Sequence, residues 1–548
     1  MKETRTADSL WVYSLLIVFT VLSLGAASHE SATYDEPIHI LAGVVAWRTG
    51  QINLENSNPP LAVYWQTLPL LLRHFHTFPP ANQLVRSVYS YSFGFVHYNQ
   101  NSLAWMLQAP RAMNVLLALF LGLALFNWTR EALGSRAARG ALLAYALCPV
   151  FIGYGSLVKA DVAGALGWLL VCSMAWRWRR APNLNRAVLT GLALGAALCS
   201  KYSSILSIPA VAGAILLDLY RSSEEERPNS TALAQASLAV LLGTNLVMML
   251  LFRGWGLPEW LHAFSRSAAQ FKEGHANYYW GQFSRKGWPT YFLTAFVLKT
   301  PLPFLIALVT AAFGRRRIRP VTRRFLMAWC VWPAALLFIV SSFSTIQVGI
   351  RHILPVYPFL CMIVGAATAG LWAAGTRAAQ GWVLFLGLWY AAGSVFVFPR
   401  YLSYFNELVG PSSNGYRYFV DSNLDWGQGL KSLADYLNRQ GSPPIYFSYF
   451  GCSDPGLYGI HFQPVLMTTC ADMGGTGVIA PDQNPLYFAV SATNRVGLYY
   501  QPHDAFAWLD NRKPVKVFMD SIWLYDVTND PEAKTRLEAL TSPPPPAR

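Results

Sequence analysis

A succession of apolar runs, each long enough to cross a bilayer, constrains this chain more than any other feature. A hydrocarbon core about 30 Å thick is spanned by roughly 17–25 helical residues. Runs of that kind lie near residues 10–28, 109–128, 138–156, 162–177, 186–200, 203–219, 232–252, 291–313, 323–341, 350–371 and 381–398. They predict a polytopic α-helical membrane protein with about eleven transmembrane helices, the pair around Ser200, Lys201 and Tyr202 being the shortest. Only 13% of the 548 residues are charged, against ~25% in soluble domains, and the mean hydropathy is +0.29. The first run follows Lys2 and Arg5, exceeds the apolar core of a signal peptide and lacks an Ala-x-Ala site, so it is expected to remain as a crossing.

A net charge of +14 raises the question of nucleic acid. The placement of the charge argues against it, because the excess gathers in short clusters between apolar runs: Arg130, Arg136 and Arg139; Arg177, Arg179, Arg180 and Arg186; Arg315, Arg316, Arg317, Arg319, Arg323 and Arg324. Such clusters mark cytoplasmic loops. With the first residue inside and an odd number of crossings, every cluster falls inside and the C-terminal tail outside. Residues 1–400 then form the membrane domain, with outer loops at 29–109 and 253–290. The stretches 37–50 and 60–73 are amphipathic and are expected to lie along the membrane surface. From 401 to 548 Gly, Pro, Asn and Asp become frequent. Strand-like runs at 444–450, 486–491 and 522–527, with helical stretches at 429–438 and 531–540, predict a small extracytoplasmic α/β domain. Its end, from Pro543 through Pro544, Pro545 and Pro546, is expected to be disordered. Cys148, Cys172, Cys199, Cys330 and Cys361 fall in or beside apolar runs and read as packing residues, whereas Cys452 and Cys470 could pair in an oxidising compartment.

Five segments carry chemistry. In Tyr34-Asp35-Glu36-Pro37 two carboxylates follow the first crossing. Either Asp35 caps a helix that Pro37 helps to start, or it is a base for a hydroxyl proton. In Lys159-Ala160-Asp161 the two charges either pair at the interface or serve a site. Lys299 lies several residues into an apolar run, where an ammonium must snorkel or meet an anion. Arg351, in Gly349-Ile350-Arg351-His352, can anchor at the interface or fork two bonds to a phosphate. The fifth, Asp421-Ser422-Asn423-Leu424-Asp425, opens like a calcium loop, but Trp426 stands where Gly is needed and Ser432 where Glu is needed. It reads as a turn into a helix, or as an acceptor contact.

Together these segments resemble class C glycosyltransferases that use polyprenyl-phosphate sugars. The closer similarity is to the bacterial branch related to protein O-mannosyltransferases and lipid A aminoarabinose transferases. The residues that carry it are Tyr34-Asp35-Glu36, Asn58-Pro59-Pro60-Leu61 with Tyr64-Trp65, Asp161, Gly274-His275 with Tyr279, Lys299-Thr300-Pro301-Leu302-Pro303, and Gly349 to Pro355. In the tail it continues through Tyr404-Phe405-Asn406-Glu407 and Asn414-Gly415-Tyr416. The resemblance implies an integral-membrane, inverting glycosyltransferase in the bacterial inner membrane, with its active site outside the cytoplasm. Its donor would be a polyprenyl-phosphate sugar and its acceptor a lipid, glycan or protein hydroxyl, with membrane lipid around it and no nucleic acid. It implies catalytic roles for Asp35, Glu36 and Asp161, donor binding by Arg351, His352, Lys299, His275, Tyr279 and Lys201, and acceptor binding by Asn58 and Tyr64. Many relatives carry Lys where Asn58 stands, so no cationic contact is expected there. His275 is open as a metal ligand, a phosphate contact or an interfacial polar group; no cofactor is certain, and a divalent metal remains possible. The competing reading is a transporter or flippase of lipid-linked glycans, for which an internal repeat is expected and none is found in the sequence.

Overall fold

The computed structural model describes residues 2–76, 88–220, 228–314, 319–471, 473–477, 479–480 and 482–541. Arg315, Arg316 and Arg317 of the third cluster lie outside the described residues, as does the run of prolines from Pro543 to Pro546.

Helices occupy every apolar run. Among the described residues seven are long and apolar enough to cross a membrane, and two bent pairs raise that to nine. The chain is an integral membrane protein. The helices Asp161–Arg180 and Leu184–Leu198, both expected as crossings, are not among the nine. Asp161–Arg180 packs between its neighbours Leu103–Leu133 and Leu184–Leu198 and is buried along most of its length, so it needs little lipid-facing apolar surface.

Both bent pairs break immediately before a proline. Ser135–Ala146 and Pro149–Gly155 meet at 61°, with Cys148 extended ahead of Pro149. Tyr291–Lys299 and Leu302–Gly314 meet at 111°, with Thr300 extended ahead of Pro301. Proline bars the helical conformation of the residue before it and removes a donor of its own. The single crossing expected at 291–313 is therefore a sharply broken one. Backbone freed inside a membrane protein must find partners. Asn406 supplies them: its Nδ2 donates to the carbonyls of Val297 at 2.6 Å and Thr300 at 2.8 Å, and its N–H donates to Leu298 at 2.8 Å.

The first outer loop folds into the helices Glu36–Thr49, Leu61–Thr67 and Val88–Tyr98. Glu36–Thr49 packs against the other two and buries Glu36 through Ala46 without interruption. It is thus an internal helix, not the surface-lying one its alternating polarity suggests. In the second loop, β1 (Asn277–Tyr279) and β2 (Gln282–Ser284) form a hairpin whose two turn residues, Trp280 and Gly281, both have positive φ.

The C-terminal part is a mixed sheet with helices packed on it. β3 (Ile445–Ser448) is followed by the short β4 (Phe450–Gly451), β5 (Phe462–Pro464), β6 (Thr468–Thr469), β7 (Tyr487–Ser491), β8 (Lys516–Phe518) and β9 (Ile522–Asp526). The order is β5-β3-β7-β9-β8, with β3 parallel to β5 and β7, and β9 antiparallel to β7 and β8. Leu430, Leu433, Ala434 and Leu437 of the helix Leu430–Arg439 recur at helical spacing and bury one face in this core. β4 and β6 pair in parallel, and Cys452 and Cys470 just beyond them form a disulfide.

Residues 426–428 are laced to the chain after the first crossing. Tyr34 N–H donates to the Trp426 carbonyl at 2.8 Å, Ser31 N–H to Gln428 at 3.1 Å and Ser31 Oγ to Gly427 at 2.8 Å. This lacing brings the tail to the acidic pair.

Candidate active site

Asp35 stands at the start of the Glu36–Thr49 helix, where aspartate commonly caps the first turn. Here its side chain makes no capping bond. Instead Oδ2 accepts from Lys159 Nζ at 2.7 Å. That nitrogen also meets His39 Nε2 at 2.8 Å, and His39, one turn after Asp35, passes the contact through Nδ1 to Glu55. Glu55 accepts from Ser57 Oγ and, at 2.9 Å, from Asn58 Nδ2. A polar string from Asp35 to Asn58 therefore lines one wall of a cavity of about 660 Å³.

A second group joins it from other elements. Asp161, first residue of its helix, accepts from Lys201 Nζ and lies 3.7 Å from Arg351 Nη1. The lysine that neighbours it in sequence, Lys159, has turned to Asp35, so the simple interface pair Lys159–Asp161 does not form. Arg351 donates from Nε to Ser422 Oγ at 3.1 Å, and its guanidinium lies 4.5 Å from the Trp426 ring centroid. Lys159 Nζ faces the same ring at 5.6 Å. Two cations thus meet around one indole at the cavity, and Lys201 lines the same cavity.

Burial alone raises the Asp35 carboxyl, but Lys159, then Arg351 and His39, overcome it and hold the group at about 2. The side chain keeps 20% of its surface exposed, so the carboxylate is both ionised and reachable. Glu55 is likewise held at about 2, where His39 chiefly opposes the effect of burial.

Glu36 does the reverse of its neighbour. It is fully buried and faces Arg111, with Oε1 accepting from Nε at 2.9 Å and Oε2 from Nη2 at 2.6 Å. The N–H groups of Val158 and Thr33 complete four bonds, at 3.0 and 2.8 Å. Glu36 does not line the cavity. Lys299 also lies elsewhere: its ammonium donates to the carbonyls of Leu402 at 3.0 Å and Asn423, tying the tail to the broken helix. Tyr279 packs on Phe419 and shares a 2.8 Å bond with Thr294. Tyr64 packs against Trp47 and accepts its indole N–H at the main-chain carbonyl. Neither tyrosine lines the cavity. Asp35, Asn58, Lys201, His275, Arg351 and His352 do, and Asp161 underlies it through Lys201 and Arg351.

Sequence reasoning passed over His39, Glu55, Arg111 and Tyr499. Of these, His39 had a usable signal, since it falls one helical turn from Asp35.

Part of the lining is apolar: Leu206, Phe292, Leu337 and Val340, from three helical segments of the membrane domain. Val340 is 42% exposed, so this wall runs out onto the flank of the spans. The Arg clusters occupy the other end of the helices. Asp161 opens its helix and Arg177, Arg179 and Arg180 close it, roughly 25–30 Å away at the α-helical rise. Among the described residues no group of three or more His, Cys, Asp or Glu side chains is placed to hold a metal ion. The cavity can receive an anionic headgroup at the cations, an apolar tail along the apolar lining and a hydroxyl at Asp35.

No curated protein matches the chain by sequence. Among solved structures, ArnT from Cupriavidus metallidurans bound to undecaprenyl phosphate is similar, at 15% identity and a TM-score of 0.46 over 98% of this chain and 99% of that one. Archaeal oligosaccharyltransferase AglB from Archaeoglobus fulgidus, in complex with an inhibitory peptide and a dolichol-phosphate, gives 10% and 0.47 over 78% and 58%. The S. cerevisiae protein O-mannosyltransferase Pmt1-Pmt2 complex bound to the sugar donor gives 15% and 0.29 over 47% and 33%. Residues 106–248, which include Lys159, Asp161 and Lys201, match the sequence model of the family described as dolichyl-phosphate-mannose-protein mannosyltransferase.

Proposed function

We propose that the chain is an inverting glycosyltransferase that moves a sugar from a polyprenyl-phosphate donor to an acceptor hydroxyl on the extracytoplasmic side of a bacterial inner membrane. One observation carries this reading: a reachable carboxylate and a cluster of cations share a cavity that also has an apolar wall reaching the flank of the membrane helices. The family match over 106–248 supports a lipid-phosphate sugar as donor. The disulfide supports an oxidising compartment for the C-terminal domain. The Arg clusters at the opposite end of the helices support a cytoplasmic location for that end.

In this mechanism the donor phosphate lies between Lys201 and Arg351, and His352 adjoins it. The prenyl chain follows Leu206, Leu337 and Val340. The acceptor hydroxyl binds Asp35 and attacks the anomeric carbon opposite the phosphate as the C–O bond to phosphate breaks. Its proton passes to Asp35, and the electron pair leaves with the phosphate, whose growing charge Arg351 and Lys201 stabilise. A carboxylate held at about 2 is a weak base at rest. Two effects compensate. A hydroxyl becomes acidic as it attacks an oxocarbenium-like carbon, and a bound phosphate brings negative charge near Asp35 and competes with it for Arg351, which raises its basicity. Asp161 holds Lys201 and Arg351 in place, and Glu36 fixes the backbone under Asp35.

Sealed right-side-out and inverted vesicles supplied with a radiolabelled polyprenyl-phosphate sugar test the reading. The glycosyltransferase cleaves the sugar–phosphate bond and places label on acceptors at the extracytoplasmic face. A transporter moves the intact lipid-linked sugar between leaflets and cleaves nothing; that result would overturn the proposal.

A further inference from the structure

Asp421 is a cavity carboxylate that the mechanism leaves unused and that no cation pairs with among the described residues. Its backbone sits at φ 55°, in the left-handed region. The residue is only 7% exposed, yet it lines the cavity. One oxygen accepts from Ser422 N–H at 2.6 Å and the other from Tyr499 Oη–H at 2.9 Å. A carboxylate offers about four acceptor positions, so each oxygen keeps one. Asp35 has Lys159 and Glu55 has His39, but among the described residues no cationic nitrogen lies within ion-pair distance of Asp421. Burial pushes its carboxyl above the ordinary range, with His275 and Arg351 opposing.

Beside it stands an aromatic wall. Tyr34 stacks on Phe450 at 5.0 Å and 25°, and Phe450 on Tyr499 at 5.7 Å and 13°. His275 meets Tyr499 edge-on at 6.1 Å. All four line the cavity. Tyr34 comes from the first loop, His275 from the second, and Phe450 and Tyr499 from the C-terminal domain. None of these residues belongs to the apolar wall assigned to the prenyl chain, and Tyr34 directly precedes Asp35 in the chain. Aromatic surface next to a carboxylate with unfilled acceptor positions suits a pyranose or furanose ring, which offers an apolar C–H face and several hydroxyl donors at its rim. A Ser or Thr hydroxyl on a peptide offers one donor and no such face.

Resting on the glycosyltransferase reading, we propose that Asp421 and the wall of Tyr34, Phe450 and Tyr499 form an acceptor subsite for a saccharide, so that the sugar is transferred to a sugar hydroxyl. Asp421 accepts hydrogen bonds from acceptor hydroxyls next to the one that Asp35 holds. The acceptor ring rests on the aromatic wall. The C-terminal domain thereby takes part in choosing the acceptor.

The test uses full-length protein in lipid nanodiscs with a panel of radiolabelled polyprenyl-phosphate hexoses and pentoses. The acceptors are methyl glycosides, octyl glycosides and a Ser/Thr-containing peptide. The first two arms distinguish a soluble saccharide from a lipid-borne one. Binding of undecaprenyl phosphate is measured in parallel as a readout of an intact donor site. Transfer to either glycoside is expected. Asp421→Asn, which keeps the shape, should raise the acceptor KM roughly 10–100-fold, the loss that goes with a hydrogen bond to a charged group, while undecaprenyl phosphate binding stays unchanged. Phe450→Leu should raise the acceptor KM as well, again without weakening lipid binding. Transfer to the peptide alone overturns the saccharide subsite and leaves glycosyl transfer standing, as does an Asp421→Asn enzyme with an unaltered acceptor KM. A wild-type protein that neither binds undecaprenyl phosphate nor labels any acceptor overturns both readings.

Discussion

Glu36→Gln separates the two neighbouring carboxylates more sharply than any change at the cavity itself. Glu36 accepts four hydrogen bonds, two from Arg111 and one each from the N–H groups of Thr33 and Val158, and every partner is a donor. Gln replaces one oxygen with an NH₂, so two of the four contacts become donor against donor. The fully buried Arg111 guanidinium loses its counter-charge and keeps one bond to the Gln oxygen beside those to the carbonyls of Ala27, Glu30 and Ser31. Breaking a buried ion pair from one side costs about 3–5 kcal/mol. At roughly 2 °C per kcal/mol for a large chain, the melting temperature in detergent should fall by roughly 6–10 °C. The double variant Glu36→Gln/Arg111→Met removes both charges and should recover much of the loss, because an uncompensated charge no longer remains. The assay is thermal unfolding of purified protein, paired with transfer activity measured well below the midpoint, where the folded fraction of Glu36→Gln should retain most of its turnover. A Glu36→Gln protein that melts like wild type yet is inactive would refute this reasoning and put Glu36 in the chemistry.

Arg351→Lys keeps one positive charge but loses the planar fork and the stacking on Trp426; the donor KM should rise about tenfold or more, by kinetics at saturating acceptor. Asp425 is buried, with Oδ1 unpartnered, and burial raises its carboxyl to about 7 against the Thr493 N–H bond. A raised acid binds its proton more tightly in the folded state, so its stabilising share is complete below about pH 4 and is lost as pH rises through 7. Asp425→Asn should flatten the fall in melting temperature between about pH 4 and 7; an unchanged slope would assign the dependence elsewhere. The Cys452–Cys470 bond closes a loop of 18 residues, which is worth about 3 kcal/mol of unfolded-state entropy. Cys452→Ser/Cys470→Ser should lower the melting temperature accordingly, and the native pair should take up maleimide, read by mass spectrometry, only after reduction.

Much of this was legible in the sequence, for physical reasons that also mark where reading stops. Apolar length and Arg placement locate the membrane helices because the bilayer imposes both. Asp35, Asp161, Lys201 and Arg351 could be nominated because ionisable groups at the edge of a span are costly without a task. Their partners could not be assigned: Lys159 neighbours Asp161 in the chain but reaches Asp35 in space, a choice made by the approach of the first outer loop. Asp35 and Glu36 are equivalent carboxylates in sequence, and only the burial of Arg111 tells them apart. Lys299 drew attention as a buried cation, yet its partners are main-chain carbonyls more than a hundred residues away. The break at Thr300 was legible in Pro301, but its acceptance depends on Asn406. The β1–β2 hairpin escaped because Trp280 is an unusual residue for a turn position of positive φ.

Single-turnover consumption of a radiolabelled polyprenyl-phosphate sugar by purified wild-type and Asp35→Asn protein is the most direct test of the central claim. Asn keeps the size of the side chain and removes the proton acceptor. General-base assistance is commonly worth ~10²–10⁴-fold; sugar transfer by Asp35→Asn should slow by that factor while donor binding and the melting temperature stay close to wild type. Transfer by Asp35→Asn at the wild-type rate would contradict the account.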